Sequence, residues 1–148
     1  MGLNQYNVRV YGLLMNSKDE ILLSREHRFG KHFTKFPGGG HELGEGIADC
    51  LKREFQEELG IKIHNLTHFY TTDFFQVSAF APNDQLISIY YKVDSHQLNE
   101  IESGQKSLDI DEGDDHTFLW KPLAELAEDY VTYPIDKLVV KRLIQELS

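Results

Sequence analysis

Between residues 47 and 59 the chain carries apolar side chains at the spacing of one helix face. They stand at positions 47, 48, 51, 55 and 59, and no proline interrupts them. This period predicts an α-helix over Ile47–Leu59 with one side buried against a core. Gly60 follows the last apolar position and suits a left-handed C-terminal cap, after which Ile61 can fold back onto Phe55.

Three glutamates occupy an adjoining face of the predicted helix. Glu54, Glu57 and Glu58 stand at i, i+3 and i+4, so they project from one side of it. Like charges at this spacing cost roughly 0.2–0.5 kcal/mol per pair, a cost that a bound cation offsets. Oxygen ligands on one rigid face suit a hard divalent cation such as Mg²⁺ or Mn²⁺. The alternative is a solvated acidic face, which is common in a chain with 24 Asp plus Glu.

Read as a whole, the stretch from Gly39 to Ile61 resembles the Nudix box. That pattern is Gly, five residues, Glu, seven residues, Arg-Glu-U, one residue, Glu-Glu, one residue and Gly-U, where U is bulky and apolar. Every fixed position matches, with one mild departure at Phe55, where the family more often has an aliphatic residue. The flanking segments "FTKFPGGG" and "TFLWKPLAEL" also look like the entry to the box and the closing step of a Nudix domain.

The resemblance implies an α+β fold, an α/β/α sandwich with a mixed β-sheet between helices, in one domain over 1–148. It implies a bound Mg²⁺ or Mn²⁺ with these ligands: Glu54, Glu57, Glu58 and the backbone carbonyl of Gly39. Glu57 and Glu58 are then catalytic as well, since one of the box carboxylates can act as the base. Glu45 and Arg53 match the positions that usually pair, so they would support the loop against the helix.

Length and charge narrow the function classes. A chain of 148 residues is long enough for one domain with a real core. Its net charge of −9 argues against a general nucleic-acid binder, which needs a basic surface. No apolar run approaches the roughly 20 residues of a membrane span, and the N-terminus lacks the layout of a signal peptide. The single cysteine fits a reducing compartment.

We therefore expect a cytoplasmic protein with a nucleotide-type small-molecule substrate and with no nucleic-acid or membrane partner. Sheet-mediated homodimers are frequent in the Nudix family, so a homodimer is compatible with the resemblance.

The rest of the chain predicts strands separated by turns, with a second helix at the end. The predicted strands are 6–15, 20–26, a short one within 31–40 that runs into a Gly-rich loop, 62–72, 74–81, 86–93 and 117–123. Pro122 is expected to start a short helix around 124–128, and an amphipathic helix is expected over 135–147.

A second acidic cluster lies at 109–115. It begins like a calcium loop but lacks the glycine and the final glutamate at the required positions. The Nudix family often supplies a further carboxylate from a loop before the closing strand, and Glu112 is our first choice for it, ahead of Asp114 and Asp115. The alternative is a solvated loop.

Phosphate contacts require cations from outside the box. The segment "SREHRFGKHFTK" offers Arg25, Arg28, Lys31 and Lys35. Arg25 ends a predicted strand that leads toward the Gly-rich loop, so it is the first choice for substrate binding, with Arg28 beside it. The guanidinium fork matches phosphate oxygens.

These features predict a metal-dependent hydrolase that cleaves the diphosphate bond of a nucleoside diphosphate linked to another moiety. The alternative is a non-catalytic Nudix domain that binds a nucleotide as a sensor or regulator. A prenyl diphosphate isomerase needs a catalytic cysteine outside the box helix, and the only cysteine is Cys50. Cys50 is expected to be a small packed helix residue.

Overall fold

The computed structural model describes residues 2–110 and 113–148 of the chain. Its strands are β1 (Gln5–Leu14), β2 (Glu20–Arg28), β3 (Lys31–Lys35), β4 (Gly38–Gly40), β5 (His64–Thr71), β6 (Asp84–Asp94), β7 (Gln105–Lys106) and β8 (Asp115–Pro122). Its helices are α1 (Ile47–Leu59) and α2 (Pro134–Leu147), and three 3₁₀ turns lie at Leu98–Glu100, Leu123–Glu125 and Glu128–Tyr130.

The strands form two four-stranded sheets. One has the order β4-β1-β6-β5 and is mixed, because β1 and β6 run parallel while its other pairs are antiparallel. The other has the order β3-β2-β8-β7 and is antiparallel throughout. The predicted α+β arrangement of mixed sheet and helices is confirmed.

The core consists of two buried clusters, one packed against each helix, because neighbouring side chains of a strand point to opposite faces of its sheet. In β1, Tyr11 and Leu13 belong to the buried cluster that contains α2 residues, whereas Val10 and Leu14 belong to the cluster that contains α1 residues. A strand that is buried on both faces is apolar without alternation. This explains the continuous apolar end of β1.

Helix α1 has the bounds that its period predicts. Gly60 caps it with φ 67°, and its N–H donates to the Gln56 carbonyl at 3.0 Å. Phe55 and Ile61 are both buried in the cluster under this helix. Cys50 is fully buried there too, as expected for a small packing residue, and burial raises the pKa of its thiol to about 12.

Two predicted elements are wrong. The strand at 74–81 does not form; its only ladder contact is an isolated bridge between Val77 and Gln85. The Ser78 hydroxyl accepts hydrogen bonds from the N–H groups of Phe80 and Ala81, and such local bonds compete with a ladder. The short helix at 124–128 is replaced by two 3₁₀ turns, and Pro122 ends β8 instead of starting a helix.

Across the described ranges, 2–110 and 113–148, no helix has both the length and the apolar character needed to cross a membrane.

Candidate functional site

One cavity of about 520 Å³ is lined by some of the charged side chains that the sequence singled out, namely Glu54, Glu58, Arg28, Lys35 and Asp114. Its wall comes from β1, the β2–β3 hairpin, β4, α1, the segment 76–81, β6, the loop before β8 and the start of α2. Two regions of it differ in chemistry. The carboxylate end is formed by Gly39, Glu54 and Glu58. The other end is formed by the β2–β3 hairpin, the segment 76–81, β6 and the first turn of α2, and it is called the nucleoside end after the substrate expected from the sequence.

Glu54 and Glu58 reach the cavity from one face of α1. They are one turn apart, and Glu58 is only 8% exposed. Burial raises the pKa of the Glu58 carboxyl to about 8, and burial likewise raises the pKa of Glu54. The positive charge around these two carboxyls therefore does not outweigh the cost of burying their ionised forms.

Gly39 lies directly against Glu54. A Cβ atom added at Gly39 would stand 2.5 Å from the carboxyl carbon of Glu54 and 2.6 Å from each of its oxygens. Any larger residue would therefore displace the carboxylate. Because Gly39 has no side chain, the β4 backbone can approach the Glu54 carboxylate, with which it would share a metal ion.

Arg53 ties the loop after β4 to α1. It donates to the two Glu45 oxygens at 2.9 and 3.0 Å and to the Gly40 carbonyl at 3.0 Å. It also donates to Glu54 at 3.0 Å and to Glu57 at 3.2 Å. The bonds from Arg53 lower the pKa of Glu45 to about 2. A bidentate guanidinium fixes orientation as well as distance, so the Arg53–Glu45 pair holds the loop in one position against the helix.

Glu57 is placed differently from its two neighbours. Its side chain is 43% exposed, faces Arg53 and does not line the cavity. Within 2–110 and 113–148, no three His, Cys, Asp or Glu side chains stand ready to hold one metal ion. Glu54 and Glu58 fit a divalent cation in donor type and burial, and Glu57 would join them by rotating away from Arg53.

The cavity also holds three cations. Lys35 is buried, and its Nζ lies 3.1 Å from Glu26 Oε2. Burial alone would lower the pKa of Lys35, but Glu26 raises it, so the ammonium stays charged. Arg9 donates from Nε to the Tyr11 hydroxyl at 3.1 Å. Lys35 was one of the four cations that the sequence offered for phosphate contacts, although not a first choice, whereas Arg9 was not among them.

Arg28 lines the cavity and Arg25 does not. The Nε of Arg28 is buried and has no hydrogen-bond partner among residues 2–110 and 113–148, although Asp114 Oδ2 lies 3.5 Å away. Arg25 is exposed on the opposite side of β2 from its buried neighbours Ser24 and Glu26. Alternation along the strand therefore separates the two arginines.

A buried histidine adjoins the carboxylate end. His116 Nε2 is 2.6 Å from Ser24 Oγ, and its Nδ1 is 3.6 Å from Glu58 Oε1. Burial lowers the pKa of this imidazole to about 4, which keeps it neutral at pH 7. No spacing signal marks His116 in the sequence, because it reaches Glu58 only when α1 packs against β8.

The nucleoside end contains a buried acid that forms no ion pair with any residue that the structure describes. Asp136, in the first turn of α2, accepts a hydrogen bond from the Tyr90 hydroxyl at 2.5 Å. Burial raises the pKa of Asp136 to about 6. An aspartate at a helix start is ordinarily explained by the helix dipole, so the sequence did not mark it as a site residue.

The loop before β8 reaches the cavity through Asp109, Ile110 and Asp114. Asp115 is exposed. Glu112, the carboxylate predicted from this loop, lies outside the described residues.

Comparison with known proteins gives a family match and a set of related folds. The profile of the NUDIX domain matches residues 5–143. The chain is 30% identical over 112 residues to the NAD-capped RNA hydrolase NudC of Photobacterium profundum, an alignment that covers 76% of this chain and 36% of that protein. It is 39% identical over 56 residues to the NudC of Pseudomonas fluorescens, covering 38% of this chain and 20% of that protein. The chain thus spans about a third or less of these relatives.

Solved structures show the same fold. The MutT NUDIX hydrolase of Burkholderia pseudomallei superposes with a TM-score of 0.68 at 16% identity, over 93% of this chain and 98% of that one. The MutT protein of Methanosarcina mazei superposes with a TM-score of 0.65 at 20% identity, over 98% and 97% of the two chains.

Proposed function

Because this chain belongs to the Nudix family, we propose that it is a pyrophosphohydrolase that depends on a divalent metal. Its substrate is a nucleoside diphosphate linked to another moiety, such as a nucleoside triphosphate or a nucleotide sugar, and water attacks one phosphorus of the diphosphate. The observation that carries this proposal is the shared cavity, in which the half-buried Glu54 and the buried Glu58 lie together with three cations.

The carboxylate end would hold Mg²⁺ or Mn²⁺ through Glu54, Glu57, Glu58 and the backbone of Gly39. Once bound, the ion neutralises charge on the diphosphate and lowers the pKa of water. The raised pKa of Glu58 supports this assignment, because a cation supplies the positive charge that the buried carboxyl lacks. Arg53 and Glu45 keep the β4 loop beside these ligands.

The cations would bind the phosphate oxygens. Lys35 has a fixed partner in Glu26, whereas the Arg28 Nε–H makes no hydrogen bond to any described residue and can donate to an anion. Arg9 lines the same cavity and is proposed as a third contact. Arg25 is the weaker candidate because it lies outside the cavity. Glu57, Glu58 and Glu112 stay the proposed catalytic carboxylates.

The nucleoside end supports a nucleotide-type substrate. Small-molecule sites combine an apolar and aromatic wall with a few convergent polar groups. Tyr90, Leu86 and Phe33 supply such a wall, and Asp136 and Ser78 supply polar groups. The matched relatives are hydrolases of NAD-capped RNA, so the expectation of no nucleic-acid partner is not carried forward. A homodimer and a cytoplasmic location stay predictions.

The test is a substrate panel read as released phosphate, with Mg²⁺, with Mn²⁺ and with EDTA. The panel contains nucleoside triphosphates, nucleotide sugars, NAD and NAD-capped RNA. Inorganic pyrophosphatase reports pyrophosphate from triphosphates, and alkaline phosphatase reports newly exposed monophosphates from the capped diphosphates. A metal-dependent signal is expected for the wild type and for Glu125→Gln, an exposed control with the same charge change.

Glu58→Gln should lose that signal. Equal rates in EDTA and Mg²⁺ would contradict metal dependence. Silence over the whole panel, together with tight nucleotide binding, would favour the alternative of a nucleotide sensor.

A further inference from the structure

Phe29 occupies a position that does not suit a bulky residue. It forms with Gly30 the two-residue turn between β2 and β3, and both have positive φ, 52° and 72°. Such turns favour Asn, Asp or Gly, because a larger L residue is strained at positive φ. Phe29 is also 74% exposed, so burial does not compensate. Neither local conformation nor core packing explains a phenylalanine here.

The ring of Phe29 is the outermost member of an aromatic group in the cavity wall. Its centroid lies 5.8 Å from that of Phe80, which lies 5.2 Å from Phe33 and 6.1 Å from Tyr133. We call these four residues the aromatic rim. All of them line the cavity, and Phe80 is 42% exposed. The rim therefore leaves two large aromatic surfaces open to a ligand.

Cations stand beside the two open rings. The guanidinium carbon of Arg28 is 5.2 Å from the Phe29 centroid, and Lys31 Nζ is 5.5 Å from the Phe80 centroid. Arg28 is also the cavity cation whose buried Nε makes no hydrogen bond within the described part of the chain. A ligand with a planar aromatic group close to phosphate would satisfy both features, since its ring meets the rim and its phosphate meets the arginine. A nucleotide has this chemistry.

We propose that the aromatic rim is a stacking subsite for the nucleobase of the substrate, with Phe29 as the residue that contacts the base face. The strain at Phe29 is then retained because its ring binds substrate. This inference rests on the proposed function, since it assumes that the phosphates of the same nucleotide lie at the cavity cations.

Binding without turnover tests the subsite separately from hydrolysis. The probes are the α,β-methylene analogue of ADP, which carries a base, and methylenediphosphonate, which does not. We expect Phe29→Ala to raise the calorimetric Kd for the nucleotide analogue about tenfold, which is the effect of losing one stacked ring. Its affinity for methylenediphosphonate should not change. Phe29→Trp should restore the nucleotide affinity.

Two further variants separate stacking from a structural role. Phe75→Ala removes an exposed aromatic ring of the neighbouring segment that does not line the cavity, and its affinities should equal those of the wild type. Phe29→Asn puts a favoured residue into the turn, so we expect a higher Tm together with weaker nucleotide binding. A residue that served only the fold would not move these two quantities in opposite directions.

Three outcomes would overturn the proposal. One is unchanged nucleotide affinity in Phe29→Ala, and another is a wild type that binds both probes equally. The third is a dimer that dissociates in Phe29→Ala while nucleotide affinity holds, which would assign the rim to self-association. If the binding pattern holds but no substrate is cleaved, the stacking subsite stands and the proposed hydrolysis fails.

Discussion

The carboxylate end of the cavity comes from one stretch of chain, 39–58, whereas the nucleoside end draws on four segments that are spread between residues 26 and 136. In the first region, Glu54 and Glu58 share a helix face and Gly39 lies in a short strand just before it. In the second, Phe33, Phe80 and Asp136 meet only after the sheets and α2 have packed. Local geometry builds the one, and tertiary packing builds the other.

The two regions also differ in which groups stabilise their acidic side chains. Glu54 has an Arg53 partner at 3.0 Å, and a further cation would complete the group. Asp136 is satisfied by the neutral Tyr90 hydroxyl and by burial that favours the protonated acid. We infer that the carboxylate end carries out the chemistry and that the nucleoside end selects the substrate. Variants at each end should therefore affect different constants.

The largest effect should come from Glu58→Gln. Removal of a proposed metal ligand should lower kcat on the order of 10³-fold, comparable to the loss of a key electrostatic group in other enzymes. The free energy of unfolding should not fall, because glutamine avoids burying an ionisable acid. Steady-state kinetics and thermal unfolding measure the two quantities. A kcat within about threefold of the Glu125→Gln control, less than 1 kcal/mol, would remove Glu58 from the catalytic site.

Asp136→Asn should change the pH dependence of stability. Between pH 3.8 and 6 the folded protein keeps a proton on Asp136 that the unfolded chain has released. The free energy of unfolding of the wild type should therefore fall as pH rises through this window, by about 3 kcal/mol at most. The asparagine side chain does not titrate, so the variant should gain stability relative to the wild type over the same window.

Urea unfolding at several pH values measures this difference. The exposed Asp129→Asn serves as the control. Parallel curves for wild type and Asp136→Asn would mean that Asp136 is ionised in the fold. At constant pH, the same variant should raise KM more than it lowers kcat, because Asp136 belongs to the nucleoside end.

Arg53→Lys should weaken the link between the β4 loop and α1. Lysine cannot reproduce the paired bonds to Glu45 together with those to Gly40 and Glu54. We expect activity to fall by about 10–100-fold, as for other groups that orient metal ligands. Hydrogen exchange of the amides at 40–46 should become faster. Arg25→Lys is the control on an exposed arginine, and equal exchange in both variants would show that the loop is held by other contacts.

Arg28→Ala should have the smallest of these effects. We expect about a tenfold rise in KM, roughly 1.4 kcal/mol, because one phosphate contact is lost while the carboxylate end stays intact. Arg25→Ala should leave KM unchanged, since its side chain lies outside the cavity. The reverse result would return substrate binding to Arg25, the first choice from the sequence.

The sequence by itself determined helix α1 and the glutamate face that this helix presents. The bounds of α1, its Gly60 cap and the shared face of the glutamates all follow from a period of 3.6 residues, which involves only neighbours in the chain. The Arg53–Glu45 pair and the family also follow from this one stretch.

Only the tertiary structure decided which other residues meet the box. Side chains alternate between the two faces of β2, so Arg28 points into the cavity and Arg25 points away from it. Which of the two arginines faces the cavity depends on which face of the strand is buried. Pairing of β2 with β8 brings His116 to Ser24, and the packing of α2 brings Asp136 to Tyr90. The segment 74–81 has a strand-like composition, but local Ser78 hydrogen bonds replace the ladder and turn it into cavity wall. These outcomes depend on contacts between distant segments, which the local pattern of residues does not contain.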